Sequence, residues 1–207
     1  MHNATLAVDH MPVGVTWLPQ YHDMGLIGYY LFFALKGGTT YGFSSLDFIK
    51  KPALWLETIT KYGGTASSAP NFAYDYCMLP GKISEETLEK INLSTLQYLM
   101  NAAEPVKADT YHRFTNFFKP YGLNPSSHFV AYGLAENTLV VSNYGRNNVY
   151  VATEALKRNK LFILSPDSQL PSTKIPSCGI PLGDQKVRIV NPENYQDMGT
   201  EAIGEIW

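Results

Sequence analysis

Val13-Gly14-Val15-Thr16-Trp17-Leu18-Pro19-Gln20-Tyr21-His22-Asp23-Met24-Gly25 is the stretch from which the rest of the chain can be read. Val13 to Leu18 is rich in β-branched and aromatic residues and stops at Pro19, which marks a buried strand. Gln20 to Gly25 is polar and reads as a loop. Leu26 to Leu35 is apolar throughout and ends at Gly37-Gly38, the pattern of a buried helix. That run is too short for a membrane span, which needs about 20 residues. The unit is therefore strand, loop, helix, with a histidine and an acid at the carboxyl end of the strand. In open α/β sheets ligands bind at that end.

The same unit recurs along the chain. Thr39 to Tyr41 reads as a strand, and Pro52 opens a helix that carries Leu56, Ile59 and Thr60 at helical spacing. Thr65 to Ser68 is a short strand and Pro70 to Met78 a helix. Ser84 before Glu85 and Glu86 is a helix start, with a hydroxyl cap and acids at the positive end of the dipole. Leu96 to Met100 is a strand. Lys107 to Phe118 is a helix with Tyr111, Phe114 and Phe118 near one face and Gly122 past its end. His128 to Ala131 is the next strand. Alternation of this kind predicts an α/β fold, a mostly parallel sheet flanked by helices.

The texture changes after Asn137. Leu139 to Ser142, Val149 to Val151 and Leu161 to Leu164 are short β-like runs. Lys186 to Val190 and Ala202 to Trp207 read as an antiparallel pair about Asn191-Pro192. The expected organisation is an α/β part over 1–145, an extra segment over 146–177, and the start of a smaller β-rich subdomain over 178–207.

Composition narrows the classes. The 207 residues are 45% hydrophobic and 16% charged, ordinary for a folded globular chain, and the net charge is −2. Lys157, Arg158 and Lys160 form the longest basic cluster and read as the end of a short helix, so no nucleic-acid surface is expected. Cys77 and Cys178 stand far apart and suggest reduced thiols and a cytoplasmic setting. Met1 to Pro12 has no charged region followed by an apolar core, so it does not read as a secretory signal.

Several familiar signatures are missing. The chain has no G-x-x-x-x-G-K-[ST], no G-x-G-x-x-G, no G-x-S-x-G and no histidine or cysteine set at zinc spacing. What it has is four loops that each follow a strand. His22-Asp23-Met24-Gly25 is the first; a loop in which His22 caps a backbone group is its plainer reading. Ser67-Ser68-Ala69-Pro70-Asn71-Phe72-Ala73 is the second; its small residues leave room for a ligand or for close packing. Asn101-Ala102-Ala103-Glu104-Pro105 is the third. It would let the backbone approach a flat ring, or it is a turn into a helix begun by Pro105. Tyr132-Gly133-Leu134-Ala135-Glu136-Asn137 is the fourth, with a ring for stacking and an acid able to hold hydrated Mg²⁺. Each signal is modest alone, but four loops after four parallel strands would line one sheet edge.

Together these segments resemble the adenylate-forming superfamily, and most specifically its fatty-acyl-AMP ligase branch. The resemblance rests on Trp17 to Gly28, on Ala-Pro-Asn-Phe-Ala-Tyr-Asp from Ala69, on Ala-Ala-Glu-Pro-Val from Ala102 and on Tyr-Gly-Leu-Ala-Glu-Asn-Thr-Leu from Tyr132. It continues through Cys178-Gly179-Ile180-Pro181 and Gly204-Glu205-Ile206-Trp207, covering almost the whole chain. The resemblance implies that Tyr132 stacks on adenine, with Ala102, Ala103, Glu104 and Pro105 along the other face and Gly133, Leu134 and Ala135 beside it. Glu136 would contact the Mg²⁺ that accompanies ATP. His22 would sit between the phosphates and the acyl pocket as a catalytic residue. Asp23, Met24 and Gly25, with Asn71, Phe72 and Ala73, would shape the acyl site. Ala102 stands where the family commonly has glycine.

The implied reaction joins a fatty acid to AMP and releases pyrophosphate. The acyl group would then pass to the pantetheine thiol of an acyl carrier protein. The span from Glu136 to Cys178 is longer than is usual in acyl-CoA synthetases, and the excess falls where the ligase branch carries an insertion thought to disfavour free CoA. The family's upstream phosphate loop and its downstream ribose aspartate, hinge and catalytic lysine have no counterpart here, so a fragment of the N-terminal domain is expected. Two other readings stand beside this one: a piece of a fatty acyl-CoA synthetase, and a non-enzymatic acyl- or nucleotide-binding remnant.

Overall fold

The computed structural model describes residues 11–199 and 201–207. Most of the Met1 to Pro12 segment, read above as lacking a secretory signal, lies outside them. β1 (Val13–Thr16) leads into a helix, α1, that runs as Asp23–Gly25, a π-helical Leu26–Leu31 and Phe32–Leu35. β2 (Thr39–Gly42), α2 (Ser45–Lys50) and α3 (Ala53–Tyr62) follow, then β3 (Ala66–Ala69), α4 (Asn71–Cys77), α5 (Glu85–Leu88), β4 (Tyr98–Asn101), α6 (Ala108–Phe118) and β5 (His128–Gly133). These five strands lie in the order β2-β1-β3-β4-β5 and every neighbouring pair is parallel. Parallel neighbours need long crossovers, which the intervening helices supply. From β1 the chain steps to one side for β2 and to the other for β3, and this reversal opens a crevice at the carboxyl ends.

Packing explains the small residues of β3. Ala66, Ser67, Ser68 and Ala69 are all buried. The Ser67 hydroxyl donates to Val15 O at 2.6 Å and accepts from Trp55 Nε1 at 2.7 Å, so the polar atom is satisfied within the core. The Trp17 and Phe48 rings stack at 4.1 Å beside Trp55. On α6, Tyr111, Phe114 and Phe118 are buried as their spacing predicts. The rings of Tyr111, Phe114 and Tyr74 surround His128, which has no exposed surface and shares a hydrogen bond of 2.8 Å with the Thr115 hydroxyl through Nδ1. Burial lowers the imidazole pKa to about 3, so the ring is neutral in the fold.

Two expectations change. α1 is not buried all round: Tyr29 and Phe33 face the core, while Leu26, Leu31 and Leu35 are exposed. A run with no polar residue carries no periodic mark of which face turns inward. Pro105 does not start α6, which begins at Ala108 with Lys107 at its N-cap. The backbone N–H of Lys107 donates to Asn71 Oδ1 at 3.1 Å, so Ala102 to Val106 is held as a loop.

Beyond β5 the sheet turns antiparallel. β6 (Val140–Gly145) pairs with β5, and the chain then leaves to form a separate antiparallel sheet of β7 (Asn148–Ala152), β8 (Ile163–Leu164) and β9 (Ser172–Pro176), with α7 (Thr153–Leu156) between β7 and β8. It returns as β10 (Ile180–Pro181), antiparallel to β6. The two stems of this excursion meet at glycines. A Cβ on Gly145 would lie 1.8 Å from Ser177 O, and one on Gly179, whose φ is +86°, would lie 1.7 Å from Asn143 O. β11 (Ile189–Val190) and β12 (Glu205–Ile206) form the antiparallel pair expected near the carboxyl end. Among the described residues no helix is long and apolar enough to cross a membrane.

Candidate functional site

The carboxyl edge of the parallel sheet carries a cleft of about 460 Å³. Three of the four loops singled out above open into it. His22, Asp23 and Met24 come from the loop after β1, Ala102 and Ala103 from the loop after β4, and the run from Tyr132 to Glu136 from the end of β5. Met100, Ala131, Leu139 and Val140 form an apolar floor with Met24. Sequence reading did not single out these four. Met100 and Ala131 are each two residues before an anticipated site residue or its neighbour on a strand, and the period of two would have placed them on the same face.

His22 has the geometry of a cap. Its Nδ1 accepts from Met24 N at 3.2 Å and lies 2.7 Å from Asp23 Oδ1, which also accepts from Met24 N at 2.6 Å. The plainer reading of this residue therefore holds, and it coexists with a place on the cleft wall. The imidazole is oriented through Nδ1, and its side chain stays 53% exposed. Gly25 is buried behind it and does not line the cleft.

The loop after β4 is strained. Ala103 has φ +70°, a region that costs an L-residue with a Cβ about 1–2 kcal/mol. The loop is tied down at several points. Glu104 Oε1 accepts from Phe72 N at 2.5 Å, Asn71 Oδ1 accepts from Asn101 Nδ2 at 3.3 Å, and Ala102 N donates to Ala69 O at 3.3 Å. Glu104 and Pro105 are exposed beside the cleft and do not line it.

The second loop takes a different place. Asn71 and Ala73 are buried, and of the three acyl candidates there only Phe72, 42% exposed, offers surface. Its ring lies 6.1 Å from that of Trp17, edge to face.

The loop after β5 is the tightest. A Cβ on Gly133 would lie 2.0 Å from Leu139 O, so only glycine fits that crossing. Leu134 N donates to Leu139 O at 2.9 Å, and Ala135–Asn137 forms a single 3₁₀ turn. Thr138 then takes φ 69° and ψ −55°, and Leu139 N donates to Asn137 O at 2.8 Å. That is a γ-turn of the rarer hand, which is strained. Asn137 Nδ2 donates to Val140 O at 3.0 Å and braces it. The result presents Glu136 at the rim, exposed and without an ion pair among the described residues, near the half-buried Tyr132. The arrangement offers an aromatic face, a free carboxylate, an oriented imidazole and an apolar floor within one cleft. Among the described residues no group of three or more histidine, cysteine or acidic side chains could hold a metal by itself.

The family model described as AMP-binding enzyme matches residues 1–207. The medium-chain-fatty-acid–[acyl-carrier-protein] ligase JamA of Moorena producens (strain JHB) is 35% identical over 200 residues, which are 94% of this chain and 33% of that protein. The long-chain-fatty-acid–AMP ligase FadD32 of Mycobacterium marinum (strain ATCC BAA-535 / M) is 31% identical over 202 residues, 94% of this chain and 32% of that protein. The crystal structure of a fatty acyl-adenylate ligase from L. pneumophila in complex with acyl adenylate and pyrophosphate superimposes with a TM-score of 0.85 at 35% identity. The match covers 95% of this chain and 34% of that one. The chain thus spans about a third of the length of the relatives it matches.

Proposed function

Since this chain belongs to the AMP-binding enzyme family, we propose that the protein it represents activates a fatty acid with ATP and hands the acyl group to an acyl carrier protein. The observation that carries the reading is the cleft itself: loops from parallel strands bring an aromatic face, a free carboxylate and an oriented imidazole over an apolar floor. A fatty carboxylate oxygen attacks the α-phosphorus of ATP, the bond from that phosphorus to the bridging oxygen breaks, and pyrophosphate leaves. A pantetheine thiol then attacks the acyl carbon, and AMP leaves. The protein contributes mainly position and charge complementarity.

Each residue has a proposed part. The Tyr132 ring stacks on adenine, and the loop from Ala102 to Pro105 passes along the other side, with Gly133, Leu134 and Ala135 supporting the tyrosine. His22, fixed through Nδ1, stands between the phosphates and the acyl group. Met24 and the apolar floor receive the first carbons of the chain, with Asp23 and Gly25 shaping the entry. Phe72 offers the surface of the second loop, and Asn71 and Ala73 act from beneath it. Glu136 suits Mg²⁺, which binds through one or two carboxylates together with substrate phosphates and so needs no cage of protein ligands. When bound there, Mg²⁺ would offset phosphate charge. The segment 146–177, which includes the separate sheet of β7, β8 and β9, is the proposed ligase-type insertion that disfavours free CoA, and 178–207 the start of a β-rich subdomain. Free thiols at Cys77 and Cys178 agree with a cytoplasmic setting.

The test is fatty-acid-dependent exchange of pyrophosphate into ATP by the full-length enzyme, with Tyr132→Ala beside it. Loss of stacking and burial is expected to weaken ATP binding by about 1–2 kcal/mol without lowering the melting temperature. Exchange independent of fatty acid, or nucleotide binding indifferent to Tyr132, would refute the assignment. Efficient thioester formation on free CoA would instead make the protein an acyl-CoA synthetase.

A further inference from the structure

We infer that Asn71 is a positioning residue for the nucleotide: its carboxamide braces the loop after β4 from below and holds Ala103 in its left-handed conformation. The inference rests on the function proposed above and adds to it a residue that does not touch the substrate. Asn71 is 3% exposed, so a ligand in the cleft has almost no access to it. Its Oδ1 accepts from Asn101 Nδ2 at 3.3 Å and from Lys107 N at 3.1 Å, the two ends of the loop. The five residues between those ends cannot relax independently. The following residue, Phe72, adds a third tie by donating its N–H to Glu104 Oε1 at 2.5 Å. Pro105 has a fixed φ, and Glu104 before it is driven to extended backbone. The bend falls on Ala103, at φ +70°.

The orientation of the carboxamide follows from its other side. The Thr110 hydroxyl donates its one proton to Asp75 Oδ2 at 2.9 Å, so toward Asn71 it can only accept. Asn71 Nδ2 is the donor there, at 3.4 Å, and Oδ1 must face the loop. Arg113 pairs with the other oxygen of Asp75, Oδ1. A chain from Arg113 through Asp75 and Thr110 thus sets which end of Asn71 meets the loop that runs along the cleft.

The experiment measures KM for ATP and kcat in fatty-acid-dependent pyrophosphate exchange by the full-length enzyme, with a melting curve for every variant. Asn71→Ala is expected to raise KM for ATP about tenfold, the scale of losing a buried hydrogen-bonding group, with a smaller change in kcat. Thr110→Val, which frees the carboxamide to turn over, should raise KM in the same direction and serves if Asn71→Ala does not fold. In an Ala103→Gly background, where the left-handed conformation carries no penalty, the Asn71→Ala effect should shrink to about threefold. An unchanged KM in both Asn71→Ala and Thr110→Val would overturn the inference. So would an Asn71→Ala effect of equal size in the two backgrounds, which would mark a direct contact or a general folding role. A wild-type enzyme without exchange would remove the function and this inference together, whereas an active enzyme indifferent to these changes removes only the inference.

Discussion

Residues 11–145 and residues 146–207 are built by different means. The first region packs helices on a parallel sheet around a continuous core that includes Trp55, Tyr74, Phe114 and Phe118. In the second region Val151, Leu164 and Val190 are the buried apolar side chains among the described residues, while Phe162, Leu170, Ile180 and Trp207 stay exposed. Its order comes from backbone ladders such as the five-residue register of β7 on β9 and from the glycine crossing at its base. The first region is held by what its side chains hide, the second by how closely its main chain can approach itself. Substitutions should therefore act through different terms in the two regions.

The sharpest test of that contrast is Phe114→Ala. The ring has no exposed surface and meets Tyr74 edge-on at 4.8 Å and Phe118 at 4.5 Å. Its removal is expected to lower stability by about 3–5 kcal/mol in urea unfolding, and the loss should spread over the amides of β3, β4 and β5 in hydrogen exchange. A loss below 1 kcal/mol would mean that the core is not what holds this region.

A second test uses the buried histidine of the same region. The folded pKa of His128 is lowered to about 3 by burial, against about 6.5 when unfolded. Between these values the unfolded chain binds the proton and the folded chain does not, so stability rises with pH through the window and is lost as pH falls. The wild type should lose up to about 1.4 kcal/mol per pH unit at pH 5 relative to His128→Leu, read from urea midpoints between pH 7 and pH 5. Equal slopes in the two proteins would place the imidazole in water.

The smallest effect on overall stability belongs to the second region. Gly179→Ala forces a Cβ into the Asn143 carbonyl at a positive φ, and the strain is of order 1–3 kcal/mol. The expected result is local: faster proteolysis within 146–177, with amide protection in β1, β3 and β4 kept. Unfolding of the whole chain with that excursion would erase the distinction between the regions.

What the sequence discloses follows the same division. The β-branched run at Val13 marks a strand and the small residues at Ala102 a cleft-lining loop because their chemistry is local, whereas those at Ser67 serve the close packing of β3. The bend at Ala103 is not legible, since alanine gives no sign of a left-handed backbone and the conformation is imposed by Asn71, about thirty positions away in the chain. The exposed face of α1 is hidden for another reason: Leu26 to Leu35 lacks the polar residues that would betray it. The pairing of Val149 with Ile175 depends on a long return through α7 and β8 that no short motif announces.

The crossing of Gly145 and Gly179 gives the chain a join that behaves like a clasp. Ser177 N donates to Asn147 O at 2.8 Å just above it, so the outgoing and incoming strands are fastened before the excursion begins to wander. The parallel sheet meets the excursion at the two fastened ends, while β9 rests on α6 and Asn148 Nδ2 lies 3.1 Å from His112 Nε2 of that helix. Lengthening a surface loop adds little closure entropy, growing only with the logarithm of its length. A lineage can therefore trim or extend the chain between β7 and β9 without renegotiating the parallel strands, and a protein engineer can treat the two glycines as the fixed borders of a cassette whose β9 keeps its seat on α6.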